Sequence, residues 1–176
     1  GQSAIAIGYL AGQASQGANA IAIGVGAGKT NQVSPSIAIG YNAAPSQGTN
    51  SVAIGSNAAA PSQGDECVTI GSNAGSSIQS VAVGYQAAAA NQLPGGVALG
   101  WYAAAAGSNF YSIAIGGNAA AGVTNTAATN IAIGFNTCGS GNNMTQGDSA
   151  IAIGASALED NVSSSFNVAI GTESLQ

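Results

Sequence analysis

Charge is almost missing from this sequence. Charged residues make up 4% of its 176 positions, where about 25% is ordinary. Lys29 is the one basic residue; the acids are Asp65, Glu66, Asp148, Glu159, Asp160 and Glu173, for a net charge of −5. One lysine cannot neutralise a row of phosphates, which argues against nucleic acid as a partner. There is no histidine, so neither Ser/His machinery nor an ordinary transition-metal site can be built. Asp65-Glu66 and Glu159-Asp160 are adjacent pairs; on a strand, neighbours face opposite sides, so neither pair converges on a substrate. No enzyme, cofactor or metal site is expected. No run of about 18 apolar residues occurs, so no membrane insertion is expected.

Cysteine is scarce too. Cys67 and Cys138 are separated by about four repeats of the pattern described below, roughly 19 Å along a stack of strands. A disulfide needs Cα atoms within about 7 Å, so the two are expected to be buried free thiols. Neither identifies a redox compartment.

One stretch imitates a nucleotide site. "IAIGVGAGKT" (21–30) runs from an apolar segment into a glycine-rich loop ending Gly28-Lys29-Thr30. A phosphate-binding loop needs a glycine five residues before the Gly-Lys pair, and that position is Ile23. The following "NQVSPS" holds a proline and no apolar period of 3.6, so no helix N-terminus is ready for a phosphate. The same stretch recurs along the chain, nowhere else with a lysine.

What the sequence has instead is a repeat. The pattern small–(Ile/Val)–Ala–(Ile/Val/Leu)–Gly closes at Gly8, Gly24, Gly40, Gly55, Gly71, Gly84, Gly100, Gly116, Gly134, Gly154 and Gly171, at intervals from 13 to 20 residues. Two aliphatic residues flank a small one in every copy. They are Ile5 and Ile7, Ile21 and Ile23, Ile37 and Ile39, Val52 and Ile54, Val68 and Ile70, Val81 and Val83, Val97 and Leu99, Ile113 and Ile115, Ile131 and Ile133, Ile151 and Ile153, and Val168 and Ile170. The residue between them is alanine, with Thr69 the exception. Three residues after each glycine comes another small residue, such as Ala11, Ala58 or Thr137. The rest of each repeat is Ser, Asn, Gln, Gly, Pro and Thr, which are turn and loop residues.

Strict alternation over five residues is a strand with two unlike faces. The glycine ends it where the chain turns tightly or packs closely. A second short strand is expected around the alanine that follows. One repeat cannot bury its own apolar face, so repeats must stack. The spacing predicts an all-β parallel β-roll, or β-solenoid, of about ten to eleven coils of ~16 residues, two short strands per coil, spanning 1–176 as one domain about 50 Å long. The aliphatic pairs are expected to fill the roll. The row of alanines is then an uncharged outer face, and such patches mark association. "AAAA" at 87–90 suggests a helix by propensity, but its equivalents "AAPS" and "AGSS" exclude one.

"NSVAIGSNA" (50–58), "SIAIGYNA" (36–43) and "NVAIG" (167–171) resemble the head repeats of trimeric autotransporter adhesins. Similar repeats occur in phage and large-virus fibres, which "GYLAGQASQGANAIAIG" (8–24) also resembles. The resemblance implies a left-handed parallel roll, three chains to a head, with small residues near the trimer axis, at the tip of an extracellular fibre on a cell or virion surface.

Residues directly after the glycine include Tyr9, Tyr41, Tyr85, Trp101 and Phe135. Stacked coils place them in one file. They are either a glycan-contacting stripe or packing at a strand edge or subunit interface. Asn42, Asn57, Asn73, Asn118 and Asn136 follow one residue later and are expected to form an amide ladder. Two weak sequons stand at Asn143-Met144-Thr145 and Asn161-Val162-Ser163.

These readings converge on a non-enzymatic structural or adhesive segment of an extracellular fibre, a homotrimer with a host glycan or matrix protein as candidate ligand. A filament subunit stacking end to end is the alternative, since the chain begins inside a strand motif and ends just after one, without polar caps. Ice binding would want a Thr-x-Thr array, of which only Thr124-Asn125-Thr126 is present. A polysaccharide depolymerase is a further alternative.

Overall fold

In the computed structural model the described residues are 2–75, 77–89, 94–106, 112–121, 130–138, 150–159 and 166–175. The sequons, the Thr124–Thr126 array, Asp148 and Asp160 lie outside them. All regular structure is β: β1 Ile5–Ile7, β2 Ile21–Ile23, β3 Asn31–Gln32, β4 Ser36–Ile39, β5 Ser46–Gln47, β6 Ser51–Ile54, β7 Ser62–Gln63, β8 Val68–Ile70, β9 Val81–Val83, β10 Val97–Leu99, β11 Ile113–Ile115, β12 Ile131–Ile133, β13 Ile151–Ile153 and β14 Val168–Ile170. No described helix is long and apolar enough to cross a membrane.

The eleven repeat motifs are the eleven strands of one parallel sheet, stacked in chain order. Each motif pairs with the next residue for residue, as in Ile5↔Ile21, Ala6↔Ala22 and Ile7↔Ile23. Insertions of different length therefore leave the register untouched. A second parallel sheet, β3-β5-β7, forms the other wall of the early coils. The fold is a parallel β-solenoid with coils of about sixteen residues, as the repeat spacing predicts. Fewer complete turns are described than the ten to eleven expected, because loop stretches lie outside the described residues.

The interior corrects the expected core. Ala22, Ala38, Ala53, Ala82, Ala98, Ala114, Ala132, Ala152 and Ala169 are buried, at 0–2% exposure. The residues one step before the strand's first aliphatic face inward with them; Ala20, Ser36, Ser51, Cys67, Ser80 and Ser112 are all buried. The twenty-two aliphatic residues from Ile5 and Ile7 to Val168 and Ile170 point the other way. None is buried, and Ile5, Ile7, Ile70, Ile153, Val168 and Ile170 are exposed.

The reason is width. The Gln47 side chain starts on β5 and donates from Nε2 to the Ile37 carbonyl of the opposite wall at 2.6 Å. Gln32 and Gln63 do the same to Ile21 and Val52, at 2.7 and 2.8 Å. In these early coils one glutamine spans the interior. Sheets packed on large aliphatic side chains stand about 10 Å apart, and this roll is too thin to hold facing isoleucines.

These glutamines also bond along the axis. Gln32 Nε2 donates to Gln47 Oε1 at 3.1 Å, and Gln47 Nε2 to Gln63 Oε1 at 3.0 Å. Gln63 closes the ladder on the hydroxyl of Thr69 at 3.0 Å. Thr69 is the one strand-centre residue that is not alanine, and it is fully buried. A buried amide or hydroxyl left unpaired is costly, so the exception to the repeat sits where a partner exists.

The second strand is displaced from its expected place. Ala43 and Ala58 lie outside the strands, which fall at Ser46–Gln47 and Ser62–Gln63. The residues on either side of each such alanine have left-handed backbone, as at Asn57 (φ 52) and Ala59 (φ 53). That alternation bends the chain. It also keeps the turn in the ladder, with Asn57 N–H donating to the Tyr41 carbonyl at 2.8 Å and Ala59 N–H to the Ala74 carbonyl at 2.7 Å. "AAAA" is part of such a turn at Ala87 and Ala88, with Ala88 left-handed at φ 51.

Candidate functional site

Two surfaces carry the candidate functional residues. The first is the outward aliphatic file. It is two residues wide and eleven strands long, a seam of ~48 Å by ~7 Å at ordinary strand spacings. Strand propensity alone does not explain it, since threonine forms strands as well as valine, and none of the twenty-two positions is threonine. Ile7 and Ile170 are 59% and 69% exposed. The sequence identified these residues as the apolar half of the motif and placed them on the wrong side of the wall.

The second surface is the aromatic file. Tyr9, Tyr41, Tyr85, Trp101 and Phe135 are all exposed and stand one residue beyond the closing glycines. They are not equivalent. Tyr9 and Tyr41 are separated by Val25, and Ser56 and Ser72 follow. Tyr85 and Trp101 belong to a cluster with Tyr102, a residue that the sequence did not single out, and Phe135 stands two coils beyond Trp101. Tyr102 packs edge-on against Tyr85, centroids 5.5 Å apart at 72°, and against Trp101, 4.7 Å apart at 89°. Partial desolvation raises the Tyr102 phenol above its ordinary pKa, and the Tyr85 phenol, through its charge and its hydrogen bond, raises it further. Phe135 leans back over the preceding coil; a Cβ at Gly117 would lie 3.2 Å from its ring.

Beside this file runs the amide ladder. Asn42 donates to Asn57 at 3.3 Å, Asn57 to Asn73 at 3.4 Å and Asn118 to Asn136 at 3.1 Å. Each of these asparagines has left-handed backbone, φ 51 to 55, a conformation asparagine tolerates better than most residues. Tyr102 takes the same place at φ 56 and interrupts the ladder.

The remaining polar groups serve the scaffold. Asp65 accepts from the Thr49 N–H at 2.7 Å and its hydroxyl at 2.9 Å, and Glu66 accepts from Gln79 at 2.9 Å. Cys67 and Cys138 are buried and not joined in a disulfide. Cys67 Sγ faces the carbonyls of Ser77 and Asp65, as Ser51 Oγ faces those of Thr49 and Gly64 one coil earlier. Among the described residues no cluster of His, Cys, Asp or Glu could hold a metal. The stretch at 21–30 is strand β2, a turn, and then β3 with the Gln32 rung, so Lys29 is an exposed loop residue and no helix follows.

Fold and surface together define a class: a parallel β-solenoid with a small-residue interior and an apolar seam outside. No family model, no curated protein and no solved structure matches the chain.

Proposed function

We propose that this chain is a non-enzymatic, structural and adhesive segment of an extracellular fibre, in which three copies associate along their aliphatic seams. The observation that carries the reading is the seam itself. Contiguous apolar surface of this extent marks an interaction site. A standard interface takes roughly 800 Å² from each partner; the seam covers about 340 Å² at ordinary strand spacings, so the residues flanking it must join the contact. A seam so long and narrow suits a parallel rod better than a globular partner. A second copy brings a seam of the same length and period, and three copies can turn all their seams toward one axis. The likeness of "NSVAIGSNA" and "NVAIG" to the head repeats of trimeric autotransporter adhesins supports a left-handed roll and three chains. The alanine row plays no part in this contact, because it lies inside each roll.

Light scattering on the native particle tests the reading, with negative-stain images of the same sample. The expected result is a mass of three times 16.6 kDa and short rods. A stable monomer at micromolar concentration would refute it. Long filaments would replace the closed trimer with end-to-end assembly.

A further inference from the structure

We propose that the aromatic strip formed by Tyr85, Trp101, Tyr102 and Phe135 is a binding site for a neutral oligosaccharide running along the axis of the rod. The strip spans the coils closing at Gly84, Gly100, Gly116 and Gly134. Phe135 reaches back over Gly117, the one position in the file without a side chain, toward the Trp101 coil. Tyr102 fixes the neighbouring rings by meeting both Tyr85 and Trp101 edge-on, so the platform is set before a ligand arrives and binding costs little ordering.

Three observations select a sugar. The strip covers three coil spacings, ~14 Å, and is one residue wide. That is far below the roughly 800 Å² per partner of a protein interface, and it suits three or four pyranose rings. The coil spacing of about 4.8 Å is close to the length of one pyranose unit in an extended oligosaccharide, so successive rings meet successive coils. Asn118 and Asn136 stand one residue beyond Gly117 and Phe135, bonded to each other through one amide donor and one amide oxygen. Among the described residues neither side chain makes another hydrogen bond, so their remaining donors and acceptors can bond hydroxyl groups beside the apolar platform.

Charge sets the class. From Cys67 to Gly147 the sequence holds no Asp, Glu, Lys or Arg. A carboxylated or sulfated glycan finds no cation here, and a basic one no anion; a neutral chain loses nothing.

The proposal rests on the reading of the chain as an adhesive fibre segment, so particle mass is measured on each sample and a failure to assemble is seen apart from a failure to bind. Trp101 is the only tryptophan and reports directly on the strip. The probes are cellohexaose, chitohexaose and maltohexaose, with a heparin hexasaccharide as the acidic comparison, followed by Trp101 fluorescence and calorimetry. The expected result is saturable binding of at least one neutral hexasaccharide, tighter than its disaccharide, and none of heparin. Trp101→Ala and Gly117→Val, which lifts Phe135 off its seat, are each expected to weaken it by at least about tenfold, while Tyr41→Ala leaves it unchanged. Gly117 has an ordinary backbone and its substitution meets only the side chain of Phe135, so this variant tests the strip without loss of the fold. Absence of saturable binding by all three neutral probes, equal binding of heparin, or binding that survives both strip variants would overturn the proposal.

Discussion

The closing glycine of each repeat is the residue on which stacking depends. Gly8 has φ 126, and a Cβ there would lie 2.7 Å from the Gly24 carbonyl. The same collision, closer than 3.0 Å, recurs at Gly24, Gly40, Gly55, Gly71, Gly84, Gly100, Gly116, Gly134 and Gly154. Each glycine sits directly on the next, so a methyl group meets backbone that cannot move without shifting a coil. Gly100→Ala is expected to cost roughly 3 kcal/mol or more, from backbone strain and overpacking together. Gly171 separates the two causes. Its φ is 126, yet a Cβ there meets nothing within 4 Å. Gly171→Ala should therefore show only the conformational cost, about 1–3 kcal/mol. Urea unfolding of both variants checks this. Equal losses would mean that glycine is required for its backbone angles alone.

At the scale of the element, each early coil is an alanine-lined wall held to its partner by glutamine. Gln47 Nε2 donates to the Ile37 carbonyl at 2.6 Å, to the Ser51 carbonyl at 3.0 Å and to Gln63 at 3.0 Å, while its Oε1 accepts from Gln32. Gln47→Leu conserves shape but takes one acceptor from Gln32 and the amide donor from Gln63 Oε1. The expected loss is about 2–3 kcal/mol. Gln16→Leu, whose amide bonds the Ile5 carbonyl at the exposed edge of the stack, should cost less; the difference in unfolding free energy is the measurement. The sequence made the strands legible because period-two alternation depends only on the backbone. It did not make the faces legible. Alternation puts aliphatic and small residues on opposite sides without saying which side is enclosed, and the rule that large apolar residues go inside fails where the enclosure is one glutamine wide. The wall opposite was misplaced because it is polar. Ser-Gln-Gly at 15–17, 46–48 and 62–64 is the composition of a loop, and only its recurrence in phase with the glycines marks it as a strand with an inward amide. The position held by Ala88, Ala104 and Ala120 is taken by Cys138 and then Leu158, and Leu158 is the largest fully buried side chain described.

For the whole molecule, a thin roll shifts the burden of hydrophobic burial outward. Alanine contributes little transfer free energy, and the larger apolar groups remain on the surface of the single chain. Stability should then depend on whether the seam is covered. Association that favours the folded form raises the melting temperature with protein concentration, so the thermal midpoint is expected to climb between about 1 and 100 μM chain. Ile115→Lys places a charge in the middle of the seam, outside the roll. It should abolish the concentration dependence and lower the midpoint to that of the dilute wild-type chain, with the β signal in circular dichroism unchanged below the transition. Ala114→Val differs in kind. One residue earlier, it adds two methyl groups to the closed interior, and it should destabilise by about 1–3 kcal/mol at every concentration. If instead Ile115→Lys unfolds the chain at all concentrations and Ala114→Val is harmless, the walls are inverted and the aliphatic residues are the core after all. A midpoint independent of concentration in the wild type, together with a harmless Ile115→Lys, would mean that the seam has no partner of its own kind, and its occupant would have to be sought in another chain.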